Sequence, residues 1–586
     1  MITLWSIRDK VFRLKKYQEP LEKWLFPVIL LFYPLIGVNQ GVDITDTTYS
    51  LGNYQYGGYL DPMWMIATFI PNVLGKLFMA LPGGDTMLGM NIYCSFVISA
   101  TALVSYYLLQ RWMPGWMTFI GEIIAISLCW CPRVILYNYL TYFCFTTGTL
   151  LLMHAMTDYD VTRWKFILAG FFFGLSVMVR FPNIVEVSMI LILWYYEMIH
   201  KCDAGEILRK TGLCIAGFAI GFMIPLIAIC AKYGIMAYPD MISSLSDMSK
   251  GASDYSAMGM ISSTLTAWYT SLKRMFIMIP CMIVGVIMML LRPGKYYWIK
   301  RMLYSMGIIV LLYYYYSDGV FTRSYHYYDS MFEPAMMFLI FGVIFFIIGV
   351  TKKIHGQASE RSLCLACLLI IIISPLGSNN YTYPLINNMF IVAPFIMWMF
   401  RRMRQAAGPS ELNFGWKAVY MAILVLVFVQ GGLFHLKYSF VDGTDGSSRS
   451  VLVGTRDLPK AAGMYTTDYN AESLAKLREA VVDNGLEDNR LLQFGKAPGL
   501  SYLLDMEPAI FSTWPDLDSN TTEKFADALA GLKDGSREEF PVIIINPDFE
   551  GEVLAEDKYD LLLDFMDKQK YNKVFENGRF EVYTAE

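Results

Sequence analysis

Charge is scarce in this chain. Only 17% of its 586 residues are Asp, Glu, Lys or Arg, against about 25% in an ordinary soluble domain, so most of the chain does not read as soluble. Histidine is scarcer: five residues, at 154, 200, 326, 355 and 435, none at zinc-ligand spacing. All ten cysteines fall before residue 370. The remainder therefore has no disulfide framework, and cysteines inside apolar runs read as packing residues. No small-residue cleavage site follows the first apolar stretch, which reads as a true span rather than a signal peptide. There is no convincing internal repeat. The one glycine loop, Gly495-Lys496-Ala497-Pro498-Gly499, lacks nucleotide-binding spacing and a Ser or Thr after its lysine.

What is abundant is apolar length. Hydrophobic residues make up 55% of the chain and the mean hydropathy is +0.41. The excess is concentrated in about thirteen runs of membrane-helix character. These are Trp24–Val38, Leu88–Gln110, Gly115–Trp130, Leu140–Met156, Phe166–Val179, Ile184–His200, Thr211–Ala231, Met275–Leu291, Met302–Tyr316, Ala335–Val350, Leu363–Leu376, Met389–Phe400 and Ala418–Phe434. The expected fold is an α-helical polytopic membrane protein with a C-terminal soluble α/β domain. Residues 1–23 read as a basic, amphipathic segment on the cytoplasmic membrane surface. Residues 24–438 form the transmembrane domain, with a first outer loop at 39–87 and a second at 232–274; 439–586 form the soluble domain.

Lysine and arginine set the orientation. Arg8, Lys10, Arg13, Lys15, Lys16 and Lys23 place the N-terminus in the cytoplasm. Alternating sides from there keeps most basic loops inside, provided that Met65–Leu81, with Pro71, Asn72 and Lys76, is interfacial or re-entrant rather than a span. The chain from residue 440 on then lies outside. It carries 29 acidic and 15 basic residues, a separate acidic unit that disfavours anionic polymers, nucleic acid included. Its expected elements are helices at Ala471–Asn484, Ala497–Leu504 and Lys558–Lys570, strands at Leu491–Phe494 and Pro541–Asn546, and a hairpin over Tyr571–Tyr583.

Candidate chemistry gathers in the outer loops. The first holds Asp43 and Asp46, and at helical spacing Asp43, Asp46 and Tyr49 share a face. Tyr54 and Asp61 follow. Arg133 and Arg180 stand at outer helix ends. The later loops supply Asp240, then Arg323, His326 and Asp329, then Asn379 and Asn380.

In this order of parts the chain resembles the GT-C glycosyltransferases, the lipid-carrier-dependent membrane enzymes that include protein O-mannosyltransferases and aminoarabinose transferases. Their first outer loop often reads Asp-Glu-x-Tyr. Asp46-Thr47-Thr48-Tyr49 matches at the Asp and the Tyr, with Thr47 in place of Glu and Asp43 one turn earlier. Leu60-Asp61-Pro62-Met63 occupies the place of a basic residue followed by two prolines. Gly174 to Pro182 is similar to the fifth-helix end of many members.

The resemblance implies a GT-C-like membrane domain and transfer of a hexosyl or pentosyl group from a polyprenyl-phosphate-linked donor to an extracytoplasmic glycan, lipid or protein, at the cell membrane of a bacterium. Asp46 is the candidate base, with Asp43 as helper or alternative, because partial desolvation raises a carboxylate toward useful basicity. Arg133, Arg180, Arg323 and His326 are candidate ligands of the donor phosphate, arginine pairing its oxygens two at a time. Tyr49, Tyr54, Asp61, Asp240, Asp329, Asn379 and Asn380 are candidate substrate contacts. No cofactor is required; a divalent cation held by Asp43, Asp46 and loop carboxylates is compatible. One displacement implies inversion at the anomeric carbon. Two other readings stay open: a transporter or flippase of a lipid-linked sugar, and a polysaccharide polymerase or ligase.

Overall fold

In the computed structural model, described residues are 18–129, 132–158, 163–250, 257–292, 294–321, 325, 328–351, 356–408, 413–437, 449–532, 540–547, 549 and 554–585. Every one of the thirteen apolar runs is helical in whole or in part. Five described helices are long and apolar enough to cross a membrane by themselves: Met87–Leu109, Ala204–Tyr233, Met258–Leu290 (taken through its break), Asp329–Val350 and Phe414–Lys437. Others are interrupted. Ile184–His200 divides into a 3-10 stretch, Phe181–Met189, and an α-helix, Ile190–His200. The stretch at 65–81 becomes two short helices, Pro62–Ala67 and Phe69–Met79. The second spans only about 17 Å at 1.5 Å per residue, too short to cross.

The second outer loop is more ordered than expected. Helix Ala237–Lys250 covers its first half and helix Ala257–Met275 its second, the latter running almost directly into Met278–Leu290. Apolar positions such as Tyr238 and Met241 explain this. They pack on Ile66, Ala67 and Met178, so the segment lies over the short first-loop helices. Of residues 1–23, only Gln18 onward is described.

Helix Arg163–Val179 and helix Ala204–Tyr233 cross on four glycines. A Cβ built on Gly170 would stand 1.9 Å from the Cys214 carbonyl oxygen, and one on Gly174 2.0 Å from that of Phe218. From the other side, Gly217 and Gly221 meet the Ile167 and Phe171 carbonyls at 1.9 and 2.1 Å. Small residues four apart let two membrane helices approach to backbone contact. We expect Gly170→Leu to force the pair apart at a cost of roughly 1–3 kcal/mol or more, read as a lower melting temperature and a loss of monodisperse protein on size exclusion.

The C-terminal unit is a three-layer α/β sandwich. Leu491–Phe494 pairs in parallel with Val542–Ile545, which pairs antiparallel with Glu581–Ala585, which closes a hairpin with Tyr571–Glu576. Strand alternation sorts the two faces. Leu491, Val542 and Ile544 pack with Leu474, Leu477 and Val481 of helix Asp468–Asp483. Leu492, Phe494, Ile543 and Ile545 pack with Phe525 and Leu529 of one helix and Leu562, Phe565 and Met566 of another. The first face does not end at the domain. Its core continues into Val42, Ile44, Leu51 and Tyr54 of the first outer loop and Met87, Met90 and Val134 of the helical part, so loop and C-terminal unit share one apolar core.

Candidate active site

The first outer loop becomes the helix Asp46–Tyr56, and Asp43 starts it. Both oxygens of the Asp43 carboxylate are engaged. One accepts from the Thr45 amide at 2.8 Å and the Thr45 hydroxyl at 2.5 Å; the other accepts from the Thr47 amide at 2.7 Å. Asp43 is 2% exposed. Burial pushes its carboxyl up to about 6, against the lowering effect of those hydrogen bonds. It caps the N-terminal amides that a helix leaves unsatisfied. We expect Asp43→Ala to cost about 1 kcal/mol through the lost cap and Asp43→Asn to retain most of it, measured by thermal unfolding.

Asp46 is different. Among the described residues, no side chain is seen donating to its carboxylate. Burial first, and the charge of Asp43 second, push it up to about 7. It is half-buried, one turn from Asp43, and ready to accept a proton near neutral pH.

The C-terminal unit closes over this helix. The Gly499 amide donates to the Ile44 carbonyl at 3.0 Å, and the Asn470 amide group donates to the Val42 carbonyl at 2.8 Å. Gln55 and Tyr56 donate to Asp505 at 2.5 and 3.1 Å, and Tyr59 to Glu507 at 2.8 Å. Asp61 caps the amide of Met63 and pairs with Lys524. Tyr49 meets the Trp514 ring edge-on, 5.6 Å between centroids. Beside that contact the Thr513 hydroxyl and the Trp514 indole nitrogen are buried with no hydrogen-bond partner among the described residues.

The arginines divide. Arg133 gives two N–H groups to the carbonyls of Gly37 and Ile36, at 3.1 and 2.9 Å. That ties the end of the first span to the turn before Leu136, and burial lowers its pKa. Arg180 donates to the Gly377 carbonyl and lies 5.8 Å over the Tyr137 ring. Tyr137 packs on the core that includes Val42, Ile44 and Tyr54. Arg180 also lines a small cleft with Asn138, Thr141, Asn183 and Glu186, where the Asn183 amide group is held by Thr141 and Ser176. The Tyr54 hydroxyl donates to the Val134 carbonyl at 2.7 Å.

Asp329 falls elsewhere. It lines a cavity of about 500 Å³ with Arg274, Glu333, Tyr381 and Tyr383. Arg274 pairs with Glu333 at 2.9 Å, and Ser271 donates to the same carboxylate at 3.0 Å. The pair joins residues 59 positions apart in sequence, a partnership that no local pattern shows. Asn379 and Asn380 precede Tyr381 in the adjoining turn, where the Tyr383 amide donates to the Asn380 carbonyl. Asp240 is exposed in the first turn of its own helix. Arg323 and His326 lie outside the described residues.

Among the described residues no three His, Cys, Asp or Glu side chains converge as a metal site. With both Asp43 oxygens engaged, Asp46 offers one carboxylate, short of the six or more oxygens a calcium-like ion takes. No step below passes through a metal.

No family model and no curated protein matches the sequence. Solved structures match at low identity. ArnT from Cupriavidus metallidurans bound to undecaprenyl phosphate is 8% identical, over 95% of this chain and 97% of that one, with a TM-score of 0.46. The Archaeoglobus fulgidus oligosaccharyltransferase tethered with an acceptor peptide is 11% identical, over 95% and 72%, with a TM-score of 0.44. The same oligosaccharyltransferase in complex with zinc and sulfate is 11% identical, over 94% and 70%, with a TM-score of 0.45.

Proposed function

We propose that this protein is a membrane glycosyltransferase that moves a sugar from a polyprenyl-phosphate-linked donor to an acceptor hydroxyl outside the cytoplasm, with Asp46 as general base. The observation that carries the reading is the unengaged Asp46 carboxylate, raised to about 7, at the start of a helix held between the membrane part and the C-terminal unit. A base is most effective when its pKa lies near the working pH. Asp43 positions it, by starting the helix and by lending its charge.

In the proposed step the acceptor oxygen gives its proton to Asp46 and bonds to the anomeric carbon. The bond from that carbon to the phosphate oxygen breaks, and the polyprenyl phosphate leaves with the electron pair. One displacement inverts the centre. Arg180 is the cation proposed to meet the leaving phosphate. Tyr49 and Trp514 present aromatic surface to a sugar face.

The test supplies purified protein in vesicles with a panel of labelled polyprenyl-phosphate sugars and scores two products. Transfer gives free polyprenyl phosphate plus a glycosylated acceptor. Intact donor appearing in the opposite leaflet, without cleavage, would replace this reading with the flippase. Joining of whole glycan chains, with single sugars refused, would replace it with the polymerase or ligase.

A further inference from the structure

A second built site lies at the far end of the helical part. Helix Met87–Leu109 begins against the C-terminal unit, where Met87 and Met90 join the shared core and the Tyr502 hydroxyl donates to the Asp85 carbonyl. It runs 23 residues, about 35 Å at 1.5 Å per residue, and the chain then turns at Pro114 into helix Gly115–Leu128. That turn is therefore one hydrocarbon thickness from the C-terminal unit. A groove of about 710 Å³ opens there, between this helix, Val392–Ala406 and Phe414–Lys437.

The groove has two chemistries. Met117, Ile120, Leu424 and Phe428 make an apolar wall, and Arg401, Arg404 and Gln405 make a polar end. The two arginines are one turn apart and share a face. Among the described residues Arg401 reaches the Met117 sulfur and the Trp398 ring, and Arg404 is exposed. Lys417 interacts as a like charge with Arg404 and with Arg301. Glu360 pairs with Arg402, and Glu22 accepts from the Trp116 amide and from Gln18. Among the described residues no carboxylate lines the groove.

We infer that this groove binds an anionic phospholipid, its acyl chain along the apolar wall and its phosphate on Arg401 and Arg404. The basic N-terminal residues Arg8 to Lys16 carry the wrong sign to neutralise that end, whereas an anionic headgroup has the right one. The inference does not depend on the transfer reaction.

Native mass spectrometry of the delipidated full-length protein, titrated with phosphatidylglycerol or phosphatidylcholine, tests it. We expect phosphatidylglycerol to be retained preferentially. Arg401→Gln with Arg404→Gln should weaken its binding roughly tenfold, leaving phosphatidylcholine unchanged. The Lys/Lys pair should retain binding. Ile120→Trp, which fills the wall and keeps both charges, should lose it, a second readout should the Gln pair not fold. Equal retention of the two lipids, or unchanged phosphatidylglycerol binding in the Gln pair, would overturn the proposal. So would displacement by excess inorganic phosphate alone, which would mark a site for a free anion.

Discussion

Asp46→Asn is expected to lower sugar transfer by about a hundredfold to ten-thousandfold, the range lost when a positioned general base is removed. The substitution keeps the shape of the side chain and removes its basicity. The helix Asp46–Tyr56 is capped by Asp43 rather than by Asp46, so its start should survive. The loss should fall on kcat, with KM for the donor little changed, because proton removal belongs to the transition state. Folding gives an independent check. Asp46 has a folded pKa of about 7 against an ordinary 3.8, so the folded state binds the extra proton between those values. A carboxyl raised in this way destabilises the fold progressively as pH rises through that window. Asp46→Asn should therefore melt higher than wild type at pH 8 and no higher at pH 4. Retained transfer, with expression intact, would move the base elsewhere.

The second large effect is expected at Gly499, far in sequence from the acids and against them in space. A Cβ there would stand 1.7 Å from the Thr48 hydroxyl oxygen, 2.4 Å from the Thr48 Cβ and 2.9 Å from the Ile44 carbonyl oxygen. Thr48 cannot simply step aside, because its hydroxyl donates to the Asp43 carbonyl at 2.8 Å. Gly499→Leu must lift the C-terminal unit from the first loop or shift the Asp43–Thr48 turn. A displacement on the order of 1 Å near the chemistry costs about a hundredfold in rate, and that is the loss we expect. Hydrogen exchange separates this from global unfolding: amides of 46–56 should lose protection while those of the strand Leu491–Phe494 keep theirs. Full activity in Gly499→Leu would mean that the docked arrangement is not needed for transfer.

The fold was legible where a local pattern determines it. Unbroken Val and Ile runs mark Val542–Ile545 as a strand buried on both faces, and Glu576-Asn577-Gly578 marks the hairpin, because these signals depend on neighbours in sequence. The site was legible only in part. Asp46 and Tyr49 stand out by type and spacing, yet the same spacing cannot tell Asp46 from Asp43. The difference lies in which carboxylate meets the Thr45 and Thr47 amides, and that depends on the turn before the helix. Arg133 looked like a phosphate ligand because an arginine at an outer helix end runs against the positive-inside bias. Its partners are backbone carbonyls 96 and 97 positions away, which no local reading reveals. The Arg274–Glu333 pair and the cover supplied by Thr513 and Trp514 are likewise products of tertiary packing. The four crossing glycines were readable as small residues four apart, but their partner helices emerge only once packed.

The most direct measurement is the pH dependence of kcat/KM for sugar transfer, in wild type and in Asp43→Asn. If Asp46 is the base, the wild-type rate should rise about tenfold per pH unit on the acid side and level off near pH 7. Asp43→Asn keeps an acceptor at the helix cap and removes the negative charge that raises Asp46. Its inflection should therefore move to lower pH, with the plateau rate little changed. A wild-type profile flat from pH 5 to 9, or an inflection that stays in place when the Asp43 charge is removed, would contradict the assignment of Asp46.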